Sequence, residues 1–487
     1  MTAPRPVRAD VVVVGSGPNG LAAALLCARA GRTVVVLEAE DTIGGGCRTL
    51  PMDGMPGDAG AGLLVDLCSA VHPMAGASPF FREFDPRAHG IDLARPPVQL
   101  AHALPGRDAV LAEGRPGSMS PGWSRLFGPL ARHWDEVAGI ALSDQRTVPP
   151  PATTTRLAAA FALAHAGARG AGTLDRDART LFAGIAAHAV TPLRSPAATA
   201  VGLLLGTLLH APAGWPVPVG GSGALTEALA AAVRDAGGEI RTGHRVTSLD
   251  RIDARDIVMD TSSRVLGGIL LASSPSPATA RRARRLVHAR IGGGAAKVDL
   301  VLSGPVPWRD PRLSGAGTVH LGGTAPEIAQ AEHQVAAGRH PDRPVVLVSQ
   351  PWAADPGRIA PDGRRPLWTY AHVPAGSDRD MTDTVLAALD EVAPGVRDVV
   401  VAARSTPASR MAEHNANYAG GDIAAGRVDL RGLLARPVPR VDPYATGVPG
   451  IWHASASTPP GPGVHGMAGQ HVARRILTGR RRTTGAG

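Results

Sequence analysis

Val11-Val12-Val13-Val14-Gly15-Ser16-Gly17-Pro18-Asn19-Gly20, followed by Glu38 at the end of the apolar run Thr33-Val34-Val35-Val36-Leu37, decides how this chain folds. The four valines predict a buried parallel strand. Gly15 turns the chain sharply, Gly17 has no side chain to hold a pyrophosphate away, and Gly20 lets the next helix pack closely on the strand. Leu21 to Ala30 is built of good helix formers, and Gly31 stands where a C-terminal cap belongs. Pro18 and Asn19, in the turn before that helix, are cofactor-binding candidates with the glycines, and the helix's free N–H groups and dipole attract an anion. A carboxylate at Glu38 accepts hydrogen bonds from ribose hydroxyls and repels a 2′-phosphate, which argues against NADP. In a chain with 60 glycines a lone triplet says little. The strand, turn, helix, strand and acid in register say that the chain holds a dinucleotide on a Rossmann-like α/β sheet.

A chain of 487 residues exceeds what one hydrophobic core usually supports, so two or more domains are expected. Apolar residues make up 44% of it and aromatics only 3%, so its core is drawn from Ala, Val and Leu. The longest uncharged apolar stretch, Ala197 to Leu209, has 13 residues, short of the roughly 20 that span a bilayer. The run behind Arg5 and Arg8 ends in the nucleotide turn, so no signal peptide is expected there. Cys27, Cys47 and Cys68 make no disulfide framework and fit a reducing cytoplasm. The net charge is +9, with clusters at Arg281-Arg282-Ala283-Arg284-Arg285 and at Arg474-Arg475 with Arg480-Arg481-Arg482. No aromatics interleave with them, so nucleic acid is not expected, while peripheral contact with a membrane surface stays open. So does the oligomeric state, a homodimer included. All but one of the 50 basic residues are arginine, and the exception is Lys297. A lone lysine is either a remnant of coding bias or does what arginine cannot, such as carrying a titratable proton.

Asp41 to Thr49 contains a second glycine-rich turn, Gly44-Gly45-Gly46, ending in Arg48 and suited to a second approach to the pyrophosphate. Asp66-Leu67-Cys68-Ser69-Ala70-Val71-His72-Pro73 is polar in apolar surroundings. From about 95 to 215 the sequence reads as a helical insertion broken by prolines, Thr147 to Pro151 among them. Strands and helices then return through Gly220 to Thr261, Lys297 to Leu302 and 315 to 405. Gly450 to Ser457 and Gly461 to Met467 give a last strand, turn and helix start. A P-loop is excluded, because the sole lysine follows Ala296. No metal site is expected, for want of H-E-x-x-H or Cys/His spacing. No Gly-x-Ser-x-Gly elbow exists, and Cys47 has no partner before Cys68 for thiol relay.

With these motifs in hand, the chain resembles the flavin-dependent phytoene desaturase-like oxidoreductases of the FAD-linked amine oxidase superfamily. The branch named pyridine nucleotide-disulphide oxidoreductase domain-containing proteins is the nearest in pattern. The likeness runs through the opening fingerprint, Gly44 to Thr49, Asp66 to Pro73, Lys297-Val298-Asp299, His414 to Asp422, and Pro460 to Gly469. It implies FAD held by a discontinuous domain of residues 1–95, 215–296 and 406–487. A mixed α+β substrate domain would comprise 96–214 and 297–405. Gly15, Gly17, Gly20, Gly45, Gly46 and Arg48 would meet the pyrophosphate, Glu38 the ribose, and Val246 the adenine through its backbone. Ser457 and Gly463, Val464, His465, Gly466 and Met467 would lie toward the flavin, at a helix N-terminus. The resemblance implies removal of a hydride from a substrate C–H to make C=C or C=N, with the flavin reoxidised by oxygen or a quinone-like acceptor. Lys297, acting through a water, and His465 are the catalytic candidates; Asp66 and His72 are the candidates for the substrate side. Two departures stand out: Ala456-Ser457 where many relatives have an acid, and Gly292, Gly293 and Ala296 where aromatics are expected. A hydrophobic small molecule suits the aliphatic insertion. Two other readings stay open, a redox-neutral flavin isomerase and a flavin-binding partner protein without turnover.

Overall fold

The computed structural model describes residues 6–114, 119–144, 150–169 and 172–479. Arg5, Thr147 to Pro149 and the Arg480 to Arg482 cluster lie outside them. Val7–Val14, whose last four residues are buried, pairs in parallel with Val34–Leu37 on one side and Ile252–Met259 on the other. Glu239–Arg241 and Ile451–His453 complete a five-stranded parallel sheet. Its strands come from three separate parts of the chain. The helix Pro18–Arg29 packs against two others, Ser222–Asp235 and Met467–Leu477. A parallel sheet covered in this way explains why its strands read as unbroken valine runs.

A second sheet has seven strands in the order 400–406, 294–302, 365–373, 346–349, 316–321, 98–102 and 110–112. Every pairing in it is antiparallel except that of Val98–His102 with Ala316–Leu321. Helices Pro121–Ala131, Pro151–Ala168, Arg176–Ala187 and Pro196–Leu208 share an apolar cluster with one face of this sheet, through Leu100, Ala295, Leu347 and Tyr370. The stretch from 95 to 215 is therefore not helical throughout. Val98–His102 is buried along its whole length, so it shows none of the alternation that marks a half-exposed strand. The strand Gly294–Leu302 also begins three residues before the expected boundary at 297. Among the described residues no helix is long and apolar enough to cross a membrane.

Candidate active site

A cavity of about 670 Å³ runs from the C-terminal edge of the parallel sheet to the face of the seven-stranded one. Its first part is made of backbone. Gly15 has φ +99°, and a Cβ on it would stand 2.6 Å from the Asp260 carbonyl oxygen. A Cβ on Gly17 would stand 2.6 Å from Asp260 Oδ2, and one on Gly45 would stand 3.3 Å from Gly17 Cα. The two glycine turns thus abut closely enough that a side chain on either would press on its surroundings. The Gly44 N–H donates to the Ser16 carbonyl and hydroxyl, at 3.2 and 3.1 Å. Glu38 ties the first turn down by accepting from Ser16 N at 2.9 Å and Ser16 Oγ at 2.5 Å, and it borders the cavity. Arg48 is buried, donates to the Gly45 and His414 carbonyls, and approaches Glu40 at 4.0 Å.

Asp260, directly behind the Ile252–Met259 strand, gave no signal in the sequence. Its carboxylate accepts from Gly20 N at 2.8 Å at the start of the first helix. Burial pushes its pKa up to about 7, the Glu38 charge adding to the effect and backbone N–H groups opposing it. Gly20 itself stands behind the wall and serves packing, since a Cβ there would strike the Gly15 carbonyl. Val246 and Asn19 border the cavity. Asn19 Oδ1 accepts from Ala468 N at 3.2 Å and so joins the N-termini of two helices at one place.

The C-terminal motif supplies the second of these. Gly463, Val464 and His465 border the cavity, while Gly466 and Met467 form the start of the helix behind them. His465 is fully buried; its Nδ1 accepts from Met467 N and its Nε2–H donates to the Gly461 carbonyl, both at 3.0 Å. Burial holds its pKa down to about 4. Both ring nitrogens are thus spent on the turn, so His465 shapes the loop and is not placed to carry a proton. Ser457 lies off the cavity, donating to the Ala425 carbonyl and accepting from Ser263 N. Asn417, His414 and Tyr418 close the wall beside Gly46, with Asn417 Oδ1 accepting from Ser262 N at 2.6 Å.

The far part of the cavity is apolar and made of side chains. Leu204, Leu205 and Val201 of the helical layer face Leu347, Trp368 and Tyr370 of the sheet. Tyr370 and Trp368 are the register partners of Lys297 and Asp299, and their rings meet edge to face at 5.2 Å. The aromatics missing at Gly292, Gly293 and Ala296 are thus supplied by the neighbouring strand. The alternation in Leu367-Trp368-Thr369-Tyr370 was the available signal. His188 also borders this part, with Nε2 3.1 Å from His320 Nε2. His102 Nδ1 and His320 Nδ1 both face the bare Cα of Gly184, buried and without partners among the described residues. Burial lowers the pKa of His188 to about 3 and that of His102 to about 4, so this group is neutral.

Two expected residues lie off the cavity, and a third borders it with its ring already engaged. Asp66 accepts from Thr49 Oγ1 at 2.5 Å, Ser222 N at 2.9 Å and Arg358 Nη1 at 3.1 Å, all behind the wall. It ties the glycine-rich segment to Arg358, between two strands of the seven-stranded sheet, and does not border the cavity. Lys297 is buried one layer back as well. Its ammonium pairs with Asp299, which Arg404 also approaches at 3.4 Å, and lies 5.8 Å from the Trp368 ring. Burial lowers its pKa and Asp299 opposes that shift. His72 does border the cavity, but its Nε2–H donates to Ser222 Oγ at 2.8 Å, because the Ser222 hydroxyl itself donates to the Ser69 carbonyl. It is held neutral, its pKa lowered by burial to about 4.

The abutting glycine turns, two converging helix N-termini, an acid at the end of the second parallel strand and an adjoining apolar chamber define a flavin-binding oxidoreductase, and the residues present fit FAD. The chain belongs to the flavin containing amine oxidoreductase family, whose pattern matches residues 19–365. It is similar to a phytoene dehydrogenase of Streptomyces griseus, 30% identical over 431 residues that cover 80% of this chain and 75% of that one. Over 55 residues, 11% of this chain and 9% of the relative, it is 49% identical to an all-trans-retinol 13,14-reductase of Homo sapiens. Putrescine oxidase bound to putrescine shares the fold with a TM-score of 0.58 at 18% identity, covering 96% of this chain and 99% of that one. Cyclohexylamine oxidase from Brevibacterium oxydans does so at 0.57 and 16%, covering 98% and 99%. The protein is an FAD-dependent oxidoreductase.

Proposed function

We propose that the protein desaturates an uncharged, largely apolar molecule, taking a hydride from one carbon while the neighbouring atom loses a proton. The observation that carries this is the makeup of the far chamber. Among the described residues the carboxylates bordering the cavity are Glu38, Glu40, Asp260 and Asp422. The first three stand at the nucleotide end. Asp422 accepts from the backbone N–H groups of Gly292, Ala424 and Gly426, at 2.9 to 3.0 Å. No carboxylate is left over for a substrate ammonium, which favours C=C over C=N formation. The similarity to a phytoene dehydrogenase over most of the chain supports the same choice.

FAD, when bound, supplies the hydride acceptor, and oxygen or a quinone-like molecule restores it. The chain's own residues bind and orient. The N-terminus of Pro18–Arg29 and the Gly44 to Gly46 turn hold the pyrophosphate, with Arg48 as counter-charge. The N-terminus of Met467–Leu477 favours negative charge at the cavity's middle. Leu204, Leu205, Trp368 and Tyr370 exclude water and grip the substrate's apolar body. Lys297 acts as a positioning residue, holding the strand pair that presents Trp368 and Tyr370. Addition of candidate polyenes to the purified yellow protein without oxygen tests this reading. Lasting bleaching of the flavin band with a product two hydrogens poorer supports it. Product without bleaching or acceptor would replace it with the isomerase, and turnover of amines alone would sink it.

A further inference from the structure

The run Arg281-Arg282-Ala283-Arg284-Arg285 takes no part in the site above. Its helix, Pro277–Val287, buries Ala283 and Leu286 and thereby divides its arginines. Arg282 and Arg285 line a second cavity of about 690 Å³, whereas Arg281 and Arg284 do not. Among the described residues seven arginines line this cavity against a single carboxylate, Asp429. Asp429 is already engaged, 3.2 Å from Arg427 Nε, 3.5 Å from Arg290 Nη1 and accepting from Gly432 N at 2.8 Å.

The remaining cations crowd one another. A Cβ on Gly447 would stand 2.7 Å from Arg440 Nη1 and 3.0 Å from Arg282 Nη1, so two guanidinium groups converge on one bare Cα. Among the described residues each donates to a carbonyl alone, Arg282 to Gly447 at 2.5 Å and Arg440 to Ala445 at 2.8 Å. Among the described residues neither has a carboxylate within ion-pair distance. The Arg282 charge, added to burial, lowers the pKa of Arg440. Arg436 is 8% exposed, donates to the Ala424 and Gly426 carbonyls, and likewise has no ion-pair partner among the described residues. It borders both cavities, as do Gly432 and Ala425. Like charges held together repel, and guanidinium forks match the terminal oxygens of a phosphoryl group.

We propose that this cavity is a second binding site, for a ligand carrying two or more phosphoryl groups, set beside the substrate chamber with Arg436 as the shared wall. One phosphoryl group offers three acceptor oxygens, too few for so many forks. The ligand's source is either a soluble di- or triphosphate or the headgroups of an anionic lipid surface, and one experiment separates them. The FAD-loaded protein is titrated calorimetrically with inorganic pyrophosphate and, separately, floated with vesicles of phosphatidylglycerol or of phosphatidylcholine. The double variant R282Q/R440Q should weaken binding at least about tenfold. R281Q/R284Q removes the same charge from exposed positions of the same helix and should change it less than about twofold. Matching thermal melts exclude misfolding. Pyrophosphate binding with no vesicle flotation assigns a soluble ligand; arginine-dependent flotation on phosphatidylglycerol alone assigns neighbouring headgroups of a lipid surface. Absence of both, or equal loss in the two double variants, overturns the site.

Discussion

The two ends of the main cavity are built from different materials. The nucleotide end is backbone: glycines that abut, helix N-termini that converge, and a few side chains that hold loops in place. The substrate end is side chain: Trp368 and Tyr370 from one strand, Leu347 from another, and Leu204 and Leu205 from a helix brought across by packing. A backbone cradle tolerates no added atom but is indifferent to most neighbours. A side-chain chamber can be reshaped one residue at a time. The first therefore sets whether the protein has chemistry at all, and the second sets what that chemistry meets.

Breaking the first end should have the largest effect. Gly17→Val drives side-chain atoms into Asp260, and flavin absorbance of the purified variant should fall below about a tenth of the parent's. Full flavin content would disprove the cradle. Acid should come next, and it acts on both ends. His72 and His465 at one end, and His102 and His188 at the other, have folded pKa values of about 3 to 4 against 6.5 when free. As pH falls below 6.5 the unfolded chain takes up protons that the folded one refuses. Stability is therefore full above 6.5 and is lost from there down toward 4. Scanning calorimetry should find the melting temperature more than about 10 °C lower at pH 5 than at pH 7.

Asp66→Asn strands Arg358 in the interior and should cost about 3 to 5 kcal/mol in denaturant unfolding. Turnover per bound flavin should stay within about twofold of the parent, since Asp66 does not border the cavity; a rise in KM alone would return it to the substrate side. Trp368→Ala should leave flavin content intact and raise KM about tenfold, the converse of the Gly17 result. Smallest is Lys297→Met. Arg404 still neutralises Asp299, so kcat should fall by less than about tenfold, whereas loss of a group that transfers the proton costs about 10² to 10⁴. A thousandfold fall in steady-state assays would place Lys297 at the chemistry.

Much of the nucleotide end was legible because its parts are close in sequence and its glycines are needed wherever backbone meets backbone. Glu38 and Arg48 were legible for the same reason, each lying a short step beyond a glycine turn. Asp260 was not, because nothing at that position shows that a strand 240 residues away ends against the first glycine turn. His465 misled in another way. A histidine beside a helix N-terminus reads as a proton carrier until both its nitrogens are seen to be hydrogen-bonded within its own turn. Lys297 read as either a remnant or a working residue because it stands alone in composition, and the structure adds that it is buried and paired with Asp299.

By itself the sequence determined that a dinucleotide is held and that the acid argues against NADP; FAD, and the part both halves of its discontinuous domain play, were what the family resemblance implied. The first two features rest on local backbone geometry, which spacing encodes directly. Only the tertiary structure decided which residues face the substrate and that the arginines of one helix divide between solvent and a second cavity. Strand register and helix packing bring together residues far apart in the chain, and no local pattern records which partner each will meet.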